Sequence, residues 1–185
     1  LIPVNGRLVK RPFTANVGDP ISLAVNGLFT SRPFTGMREL YQSFEWQRRY
    51  TFSYVTGTPD FLRFRAEKFL RTADFPNGKI YLKPTFADES LSQYKTRVVR
   101  GIIDAHPDDQ FLLIGDDTQV DFEVYDSLFR YAPERILAIY IRKVTNRKLP
   151  PSAYPFLTAY DIARSEFHLS LFSAADAAPV AIAIL

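Results

Sequence analysis

The sequence predicts an α/β fold, a Rossmann-like three-layer α/β/α arrangement built around a parallel sheet. From residue 51 onward, short apolar runs alternate with segments whose apolar residues recur at the spacing of a helix face. The run ILAIYI at 136–141 is almost wholly apolar, which is typical of a strand covered on both faces. Strands and helices that alternate along a chain in this way form parallel sheets with helices on both sides.

Each predicted strand is a short apolar or β-branched run that ends at a turn signal. Gly57 and Pro59 follow the first run, and Pro84 closes the second. The third run ends at Gly115, just before a group of acids. The predicted strands are 51–56, 79–82, 111–115 and 136–141.

Three helices are predicted from apolar faces that lie between or after these strands. The faces are Leu62, Ala66, Phe69, Leu70 and Ala73 in the first helix, Tyr94, Val98, Val99, Ile102 and Ile103 in the second, and Phe122, Tyr125 and Phe129 in the third. Because proline disrupts a helix interior, the second helix is expected to end before Pro107 and the third near Pro133.

The C-terminal part is predicted to be a loop followed by a helical tail. Residues 149–155 (LPPSAYP) form the loop, and the tail at 151–185 is expected to pack on a domain formed by residues 1–150. The face expected to be shared in the tail consists of Phe156, Tyr160, Ala163 and Phe167.

A second tail helix is predicted to start at Ser173. Ser173 and Asp176 have the spacing of a capping box, and Pro179 is expected to kink or end the helix. At the other end of the chain, residues 1–50 carry two turn signals, Asn5-Gly6 and Asn26-Gly27, around weaker apolar segments.

Composition is compatible with one folded domain and argues against several classes of protein. A chain of 185 residues is long enough to bury a core. It has no cysteine, which excludes disulfides and thiolate chemistry. The formal net charge is only +3 and the basic residues are scattered, so a nucleic-acid groove is not expected. No apolar run approaches the ~18 residues of a membrane span, and no signal peptide is visible.

Thr56, Gly57 and Thr58 follow the first predicted strand and offer one candidate site. A hydroxyl beside a turn with free backbone N–H groups can cradle a phosphate oxygen, although such turns also cap helices.

Lys95 is expected in the first turn of the second helix, where the helix dipole disfavours a cation unless an anion is near. The alternative is an ordinary solvated lysine.

Asp116, Asp117 and Asp121 lie within six residues at the end of the third strand. Crowded carboxylates repel one another, and a hard cation such as Mg²⁺ relieves that repulsion. Alternatively, Asp117 and Asp121 cap and charge the start of the next helix, where acids are favourable. These residues by themselves leave both interpretations open.

Together, these elements resemble the haloacid dehalogenase superfamily of phosphohydrolases, whose motifs include a strand-end Ser or Thr, a later Lys and an acidic GDxxxxD. Within it, the chain is similar to the actin-patch-associated phosphatidate phosphatases and their bacterial relatives. The similar segments are PFTGMRELY (33–41), YVTGTPDFL (54–62), FLRTADFPNGKIYLK (69–83), YKTRVVRGII (94–103), FLLIGDDTQVDFEVY (111–125), ERILAIYIRKV (134–144) and, in bacterial members, FLTAYDIARSEF (156–167).

The resemblance implies a Mg²⁺-dependent phosphatase-type domain that acts on a phosphomonoester, with phosphatidate as a candidate. In the superfamily an Asp attacks phosphorus, a second Asp serves as general acid and base, and Mg²⁺ neutralises the developing charge. By this resemblance Thr56, Gly57, Thr58 and Lys95 bind phosphate, with Thr56, Lys95 and Asp116 in catalytic roles. Asp116 is the expected metal ligand, and Asp117 or Asp121 supports it or binds through water.

One departure from the family concerns its first motif, an Asp-x-Asp-x-Thr at the end of the first strand. No such pair precedes residue 50, and the first Asp is Asp19. Two Asn-Gly matches place other residues there: Pro3, Asn5 and Arg7, or Ala24 and Asn26. Proline and alanine cannot attack phosphorus, and an amide cannot shuttle a proton.

Two explanations of this departure are open. The true first strand and motif lie outside the chain, or the protein is a degenerate member that binds phosphorylated head groups without hydrolysis. The central position of the sheet must be filled, and Leu1–Val9 is the expected segment.

A group of basic residues follows the fourth predicted strand. They either contact an anionic head group or peripheral membrane surface, or are simply solvated: Arg142, Lys143, Arg147 and Lys148.

Overall fold

The structure is a computed structural model that describes residues 11–15, 33–47 and 50–185. Its sheet consists of β1 (Arg11–Ala15), β2 (Tyr50–Pro59), β3 (Gly78–Lys83), β4 (Phe111–Asp116), β5 (Ile136–Arg142) and β6 (Ala153–Phe156). The strands lie in the order β3-β2-β1-β4-β5-β6, and every neighbouring pair is parallel. The predicted parallel α/β sheet is confirmed.

Helices cover both faces of this sheet. They are α1 (Met37–Trp46), α2 (Arg63–Thr72), α3 (Leu91–Ala105), α4 (Asp121–Tyr131), α5 (Ala159–His168) and α6 (Ala174–Ile184). Residues of α1, α5 and α6 form one core layer with alternate strand positions such as Tyr54 and Ile114. Residues of α3 and α4 form the other layer with Val55 and Leu113. The three-layer fold with a helical C-terminal tail is therefore confirmed.

The central strand is β1, and it corrects one expectation. Ala15 pairs with Tyr54 of β2 on one side and with Ile114 of β4 on the other. The central position is thus filled by Arg11–Ala15, and not by Leu1–Val9. The buried neighbours on both sides require a strand here, because their backbone groups would otherwise lack hydrogen-bond partners.

The proposed matches to the missing motif lie outside the described residues. These are Pro3, Asn5, Arg7, Ala24 and Asn26, and the two Asn-Gly turn signals fall in the same segments.

The apolar face predicted for α2 is the face that the structure buries. Leu70 and Ala73 are buried, and Leu62, Ala66 and Phe69 are half-buried, while the charged residues of α2 are exposed.

The strand predictions hold to within a few residues. β4 is buried from Phe111 to Gly115, as an apolar strand between two helical layers should be.

The loop predicted at 149–155 is wrong in its second half, because β6 begins at Ala153. β6 is a short edge strand in which Tyr154 and Pro155 pair with Tyr140 and Ile141 of β5. Pro150, Pro151 and Pro155 made this stretch read as a loop, but the one proline within β6, Pro155, is tolerated on a sheet edge where its missing N–H faces away from the ladder.

The apolar face expected in the tail is also wrong. Phe156 belongs to β6, and both Tyr160 and Phe167 are exposed. The buried residues of α5 are Ala159, Ile162, Ala163 and Glu166. Because the helix starts only at Ala159, its small and aliphatic residues face the sheet, and the larger aromatics face solvent.

Helix α6 begins as predicted but does not end at Pro179. Asp176 accepts a hydrogen bond from the backbone N–H of Ser173 at 2.8 Å, and Ser173 Oγ accepts one in return, which confirms the capping box. The helix continues through Pro179 to Ile184. Burial of Val180 holds the following turn against the domain, which offsets the one backbone hydrogen bond that proline removes.

Within the described ranges, no helix is long and apolar enough to cross a membrane.

Candidate functional site

The ends of β2 and β4 flank the central strand at one edge of the sheet. Tyr54 and Ile114 both pair with Ala15, and Thr56 and Asp116 each lie two residues further along their strands. Thr56 and Asp116 are therefore at the same level on either side of the line of β1. In open parallel sheets, ligands bind beyond the carboxyl ends of the strands where the strand order reverses, which here is between β1 and β4.

Thr56, Gly57 and Thr58 form a bulge inside β2, where a turn was predicted. The pairing of β2 with β3 shifts between Thr56 and Pro59, so the strand continues beyond Gly57. Both threonines are buried, and their hydroxyl oxygens lie 2.9 Å apart. Thr56 Oγ1 also accepts the backbone N–H of Thr58 at 3.2 Å. The Thr56 hydroxyl proton is consequently available to Thr58 or to a ligand oxygen. Bulges of this kind re-aim side chains and are common beside active sites.

Gly57 allows the bulge to lie against the start of α3. A Cβ at this position would come within 2.6 Å of Leu91 Cδ1, and Leu91 is the first residue of that helix. A capping box fixes the start of α3, because Ser90 Oγ accepts the Gln93 N–H and Gln93 Oε1 accepts the Ser90 N–H. The helix thus starts earlier than expected, which moves Lys95 out of its first turn.

Lys95 is buried in an ion pair. Its Nζ lies 2.5 Å from Oδ1 of Asp121, and the side chains are only 4% and 3% exposed. The interpretation of Lys95 as a solvated lysine is therefore wrong. The pair connects α3 to the first residue of α4 just beyond the end of β4, so it places one buried cation beside the candidate site.

Asp121 reaches this position because Gly115 has no side chain. A Cβ on Gly115 would lie 2.8 Å from both Cβ and Oδ2 of Asp121. The second oxygen of Asp121 faces the backbone N–H of Asp116 in a long contact of 3.5 Å. The alternative in which Asp121 caps α4 is wrong: Val120 is the N-cap, and it provides no side-chain cap. Asp121 does place an acid in the first helical turn, where the helix dipole is favourable.

Asp116 is the half-buried carboxylate of the group. Its Oδ1 accepts hydrogen bonds from both the backbone N–H and the hydroxyl of Thr118. Among the described residues, no hydrogen bond reaches its Oδ2. One oxygen of Asp116 can therefore still accept a ligand.

Asp117 is fully engaged in holding the end of β5. Its Oδ2 lies 2.5 Å from Lys143 Nζ, and its Oδ1 accepts the N–H groups of Val144 and Thr145 at 2.8 and 2.9 Å. Burial is the largest influence on its pKa and acts to raise it. The hydrogen bonds from Lys143, Val144 and Thr145 together outweigh burial and lower the pKa to about 2. Asp117 is thus a carboxylate whose oxygens are satisfied by the protein itself.

Of the three acids at this edge, Asp116 is the best suited to bind a metal ion. In the described part of the chain, no three His, Cys, Asp or Glu side chains are grouped as a metal-ion set. Asp117 and Asp121 already accept from Lys143 and Lys95. Mg²⁺ commonly uses only one or two protein carboxylates together with water and substrate oxygens, so Asp116 suffices as a protein anchor. That Asp116, Asp117 and Asp121 together bind the metal ion remains a prediction.

The basic residues after β5 are largely committed to contacts within the protein. Lys143 pairs with Asp117, and Arg147 donates to Glu123 and to the backbone oxygens of Asp117 and Gln119. The guanidinium of Arg142 lies 4.5 Å from the centre of the Phe34 ring. These contacts stabilise the loop after β5, in which Arg147 and Lys148 are exposed.

Two contacts at this edge were not predicted from the sequence. Thr118 orients the Asp116 carboxylate, and Lys143 neutralises Asp117. The Lys143 contact was accessible in principle. Adjacent parallel strands end at the same edge, so an acid just after β4 and a base just after β5 are expected to meet.

The comparisons with known proteins agree with the resemblance read from the sequence. Residues 14–143 match a family model described as "Phosphatidate phosphatase APP1, catalytic domain". A curated relative, phosphatidate phosphatase APP1 of Saccharomyces cerevisiae, is 33% identical over 101 residues. The alignment covers 51% of this chain but only 17% of the yeast protein. The matched family range contains Thr56, Lys95, Asp116 and Asp121.

Proposed function

The chain belongs to the phosphatidate phosphatase APP1 catalytic-domain family, and on this premise we propose that it is a Mg²⁺-dependent phosphatase-type domain. Its substrate is a phosphomonoester bound beyond the carboxyl ends of β2 and β4. Phosphatidate is the candidate substrate because the family description and the yeast relative carry that name. The chain spans a small part of that relative, so the proposal concerns the catalytic domain and not the activities of the whole yeast protein.

The observation that most supports the proposal is the buried pair of Lys95 and Asp121 beside the end of β4. A buried cation is costly, and it is rarely retained without a function in structure or binding. The Lys95 ammonium group has three N–H donors, and Asp121 engages one of them at 2.5 Å. Its charge and remaining donors suit an anionic phosphoryl group.

Thr56 is proposed to orient the phosphoryl group. Its oxygen accepts the Thr58 N–H, so its own proton can be directed at a phosphoryl oxygen. The bulge around Gly57 holds this hydroxyl near the first turn of α3, and Gly57 and Thr58 complete the proposed phosphate-binding segment.

Asp116 is proposed to hold Mg²⁺ through the oxygen that Thr118 does not engage. A bound Mg²⁺ would neutralise charge on the phosphoryl group. Thr118 orients the carboxylate through the other oxygen. Asp121 keeps Lys95 in place, and Asp117 fixes the neighbouring loop through Lys143.

A second candidate function is binding of a phosphorylated ligand without hydrolysis, and one observation favours it. The first strand of the described residues is β1, which ends at Ala15, and the next five residues in sequence read NVGDP. In the sequence directly after β1, the two residues with the Asp-x-Asp spacing are Asn16 and Gly18, and no Asp-x-Asp pair follows. An asparagine amide is a poor nucleophile, and glycine has no group that can carry a proton.

Phosphate release from a small aryl phosphate, with and without Mg²⁺, tests the proposal. A phosphatase releases phosphate in a Mg²⁺-dependent manner, and Asp116→Ala abolishes the release. The matched control is Asp108→Ala, an exposed acid just before β4, which should release phosphate at the wild-type rate. No release by the wild-type chain, together with ligand binding that Asp116→Ala weakens, would contradict hydrolysis and support the second candidate. If Mg²⁺ affinity is the same in Asp116→Ala and the wild type, the metal assignment is wrong.

A further inference from the structure

Three phenylalanines are strongly exposed next to the candidate site. Phe61 is 64%, Phe64 is 61% and Phe86 is 98% exposed. Phe61 and Phe64 follow β2, and Phe86 follows β3, so all three lie at the carboxyl edge of two adjacent parallel strands. This is the edge that also carries Thr56. Aromatic side chains clustered in solvent are unusual and mark an interaction surface.

A hydrogen bond joins the segment that follows β2 to the segment that follows β3. Asp60 Oδ1 accepts the Thr85 hydroxyl at 2.6 Å and the Thr85 backbone N–H at 3.3 Å. The side-chain hydrogen bond from Thr85 is the main cause that lowers the pKa of Asp60. Asp60 directly precedes Phe61, and Thr85 directly precedes Phe86. This contact holds the residue before Phe61 against the residue before Phe86, and Phe64 follows in the first turn of α2.

The same surface is positively charged. Residues 60–72 contain four basic residues, Arg63, Arg65, Lys68 and Arg71, against two acids, Asp60 and Glu67. All four basic residues are exposed, and Leu70 is the buried residue of α2. Arg63 lies 3.8 Å from Glu67 in a half-exposed pair, which neutralises little of this charge.

We propose that Phe61, Phe64 and Phe86 with Arg63, Arg65 and Lys68 form a membrane-binding surface for anionic lipid bilayers. Short amphipathic helices that present aromatic and basic residues together lie in the interfacial plane, with the rings inserted among the acyl chains. The cations then meet the anionic head groups, each contributing to the attraction. Exposed rings interleaved with cations match this two-part environment better than they match a flat protein partner.

Bound in this way, the domain would turn the carboxyl edge of its sheet toward the bilayer. Phe61 and Phe64 follow the end of β2, which carries Thr56, and Phe86 follows the end of the adjacent parallel strand β3, so the candidate site would face the head-group region. The alternative membrane contact through Arg142, Lys143, Arg147 and Lys148 is less favourable, because the first three are engaged within the protein. The inference stands apart from the proposed function, since binding to a lipid that is not a phosphomonoester involves no hydrolysis.

Flotation of the whole chain with vesicles tests the proposal. One set of vesicles contains phosphatidylcholine alone, and the other contains equimolar phosphatidylcholine and phosphatidylserine. Phosphatidylserine is a phosphodiester, so its binding reports on the surface and not on a phosphomonoester site. The chain is expected to float with the anionic vesicles and much less with the neutral ones, and added salt should weaken the binding.

Single substitutions assign this binding to the surface. Arg65→Gln should lower the partition coefficient about fivefold, which corresponds to the ~1 kcal/mol contributed by one cation at an anionic membrane. Phe86→Ser should lower it roughly tenfold through lost apolar insertion. Because Phe86 is 98% exposed, its substitution should leave the unfolding midpoint unchanged.

The matched control is Trp46→Ser. Trp46 is 84% exposed but ends α1 just before β2 begins, at the opposite edge of the sheet. It should bind as the wild type does. Failure of the wild type to float with anionic vesicles, or an equal loss in Trp46→Ser and Phe86→Ser, would overturn the proposal. If this surface bound a protein partner instead, the wild type would fail to float with anionic vesicles.

Discussion

Lys95 Nζ lies 2.5 Å from Asp121 Oδ1, and both side chains are almost completely removed from solvent. This contact connects the middle of α3 to the start of α4 at the carboxyl end of the central strands. A ligand anion at this edge would share Lys95 with Asp121. The pair therefore affects both the stability of the fold and the position of the Lys95 charge beside the candidate site.

Removing the Asp121 charge should destabilise the fold strongly. Asp121→Asn leaves Lys95 buried without a counter-ion, and breaking a buried pair in this way costs about 3–5 kcal/mol. Chemical denaturation measures the loss. The control is Glu67→Gln, which removes the acid of a half-exposed pair with Arg63 and should cost less than ~1 kcal/mol. A similar small loss in both variants would contradict the structural role of the Lys95–Asp121 pair.

Gly115 should not tolerate a side chain. In Gly115→Ala, the new Cβ would lie 2.8 Å from Asp121 Oδ2 and 3.0 Å from Tyr125 Cε2, so Asp121 must move. Crowding of this kind costs about 1–3 kcal/mol in free energy of unfolding. Gly101→Ala is the matched substitution, because no atom lies within 4 Å of its added Cβ and it lies within α3. Alanine favours a helix over glycine, so this variant should be as stable as the wild type or more stable. Equal stability of the two alanine variants would show that the close approach of Asp121 is not required.

Asp117 should make stability depend on acid pH. Its pKa is lowered from 3.8 to about 2 in the folded state, so the ionised form contributes stability above the unfolded pKa. That contribution, about 2 kcal/mol at neutral pH, is lost as pH falls from 4 toward 2. We expect Asp117→Asn to be less stable than the wild type at pH 7, with the difference narrowing below pH 4. Parallel denaturation series of the two proteins measure it, and a difference that is constant from pH 7 to the acid range would contradict the lowered pKa.

The sheet was largely predictable because its strands and helices have distinct periods. The apolar run at 136–141 and the spaced apolar residues of α2 and α3 are local patterns, and the structure confirms them. The carboxyl-edge location of Thr56 and Asp116 followed from parallel strand direction alone. These features depend on short stretches of sequence.

The unpredicted features depend on contacts between distant segments. Asp117 and Lys143 are 26 residues apart, and only the register between β4 and β5 brings them together. β6 exists because the edge of β5 accepts it, although its own residues read as a loop. Helix α6 continues through Pro179 because packing of Val180 outweighs a local disadvantage. In each case tertiary contacts override local preference.

The central claim is that Thr56, Lys95 and Asp116 belong to one phosphate-binding site. Calorimetric titration of inorganic phosphate in the presence of Mg²⁺ tests it with the wild type and with Thr56→Val, which keeps the shape but removes the hydroxyl. A hydrogen bond to a charged ligand is worth about 1.5–3 kcal/mol, so Thr56→Val should weaken phosphate binding at least tenfold. The control Thr72→Val changes an exposed threonine of α2 and should bind phosphate as the wild type does. Equal affinity of Thr56→Val and the wild type, or no phosphate binding by the wild type, would contradict the account.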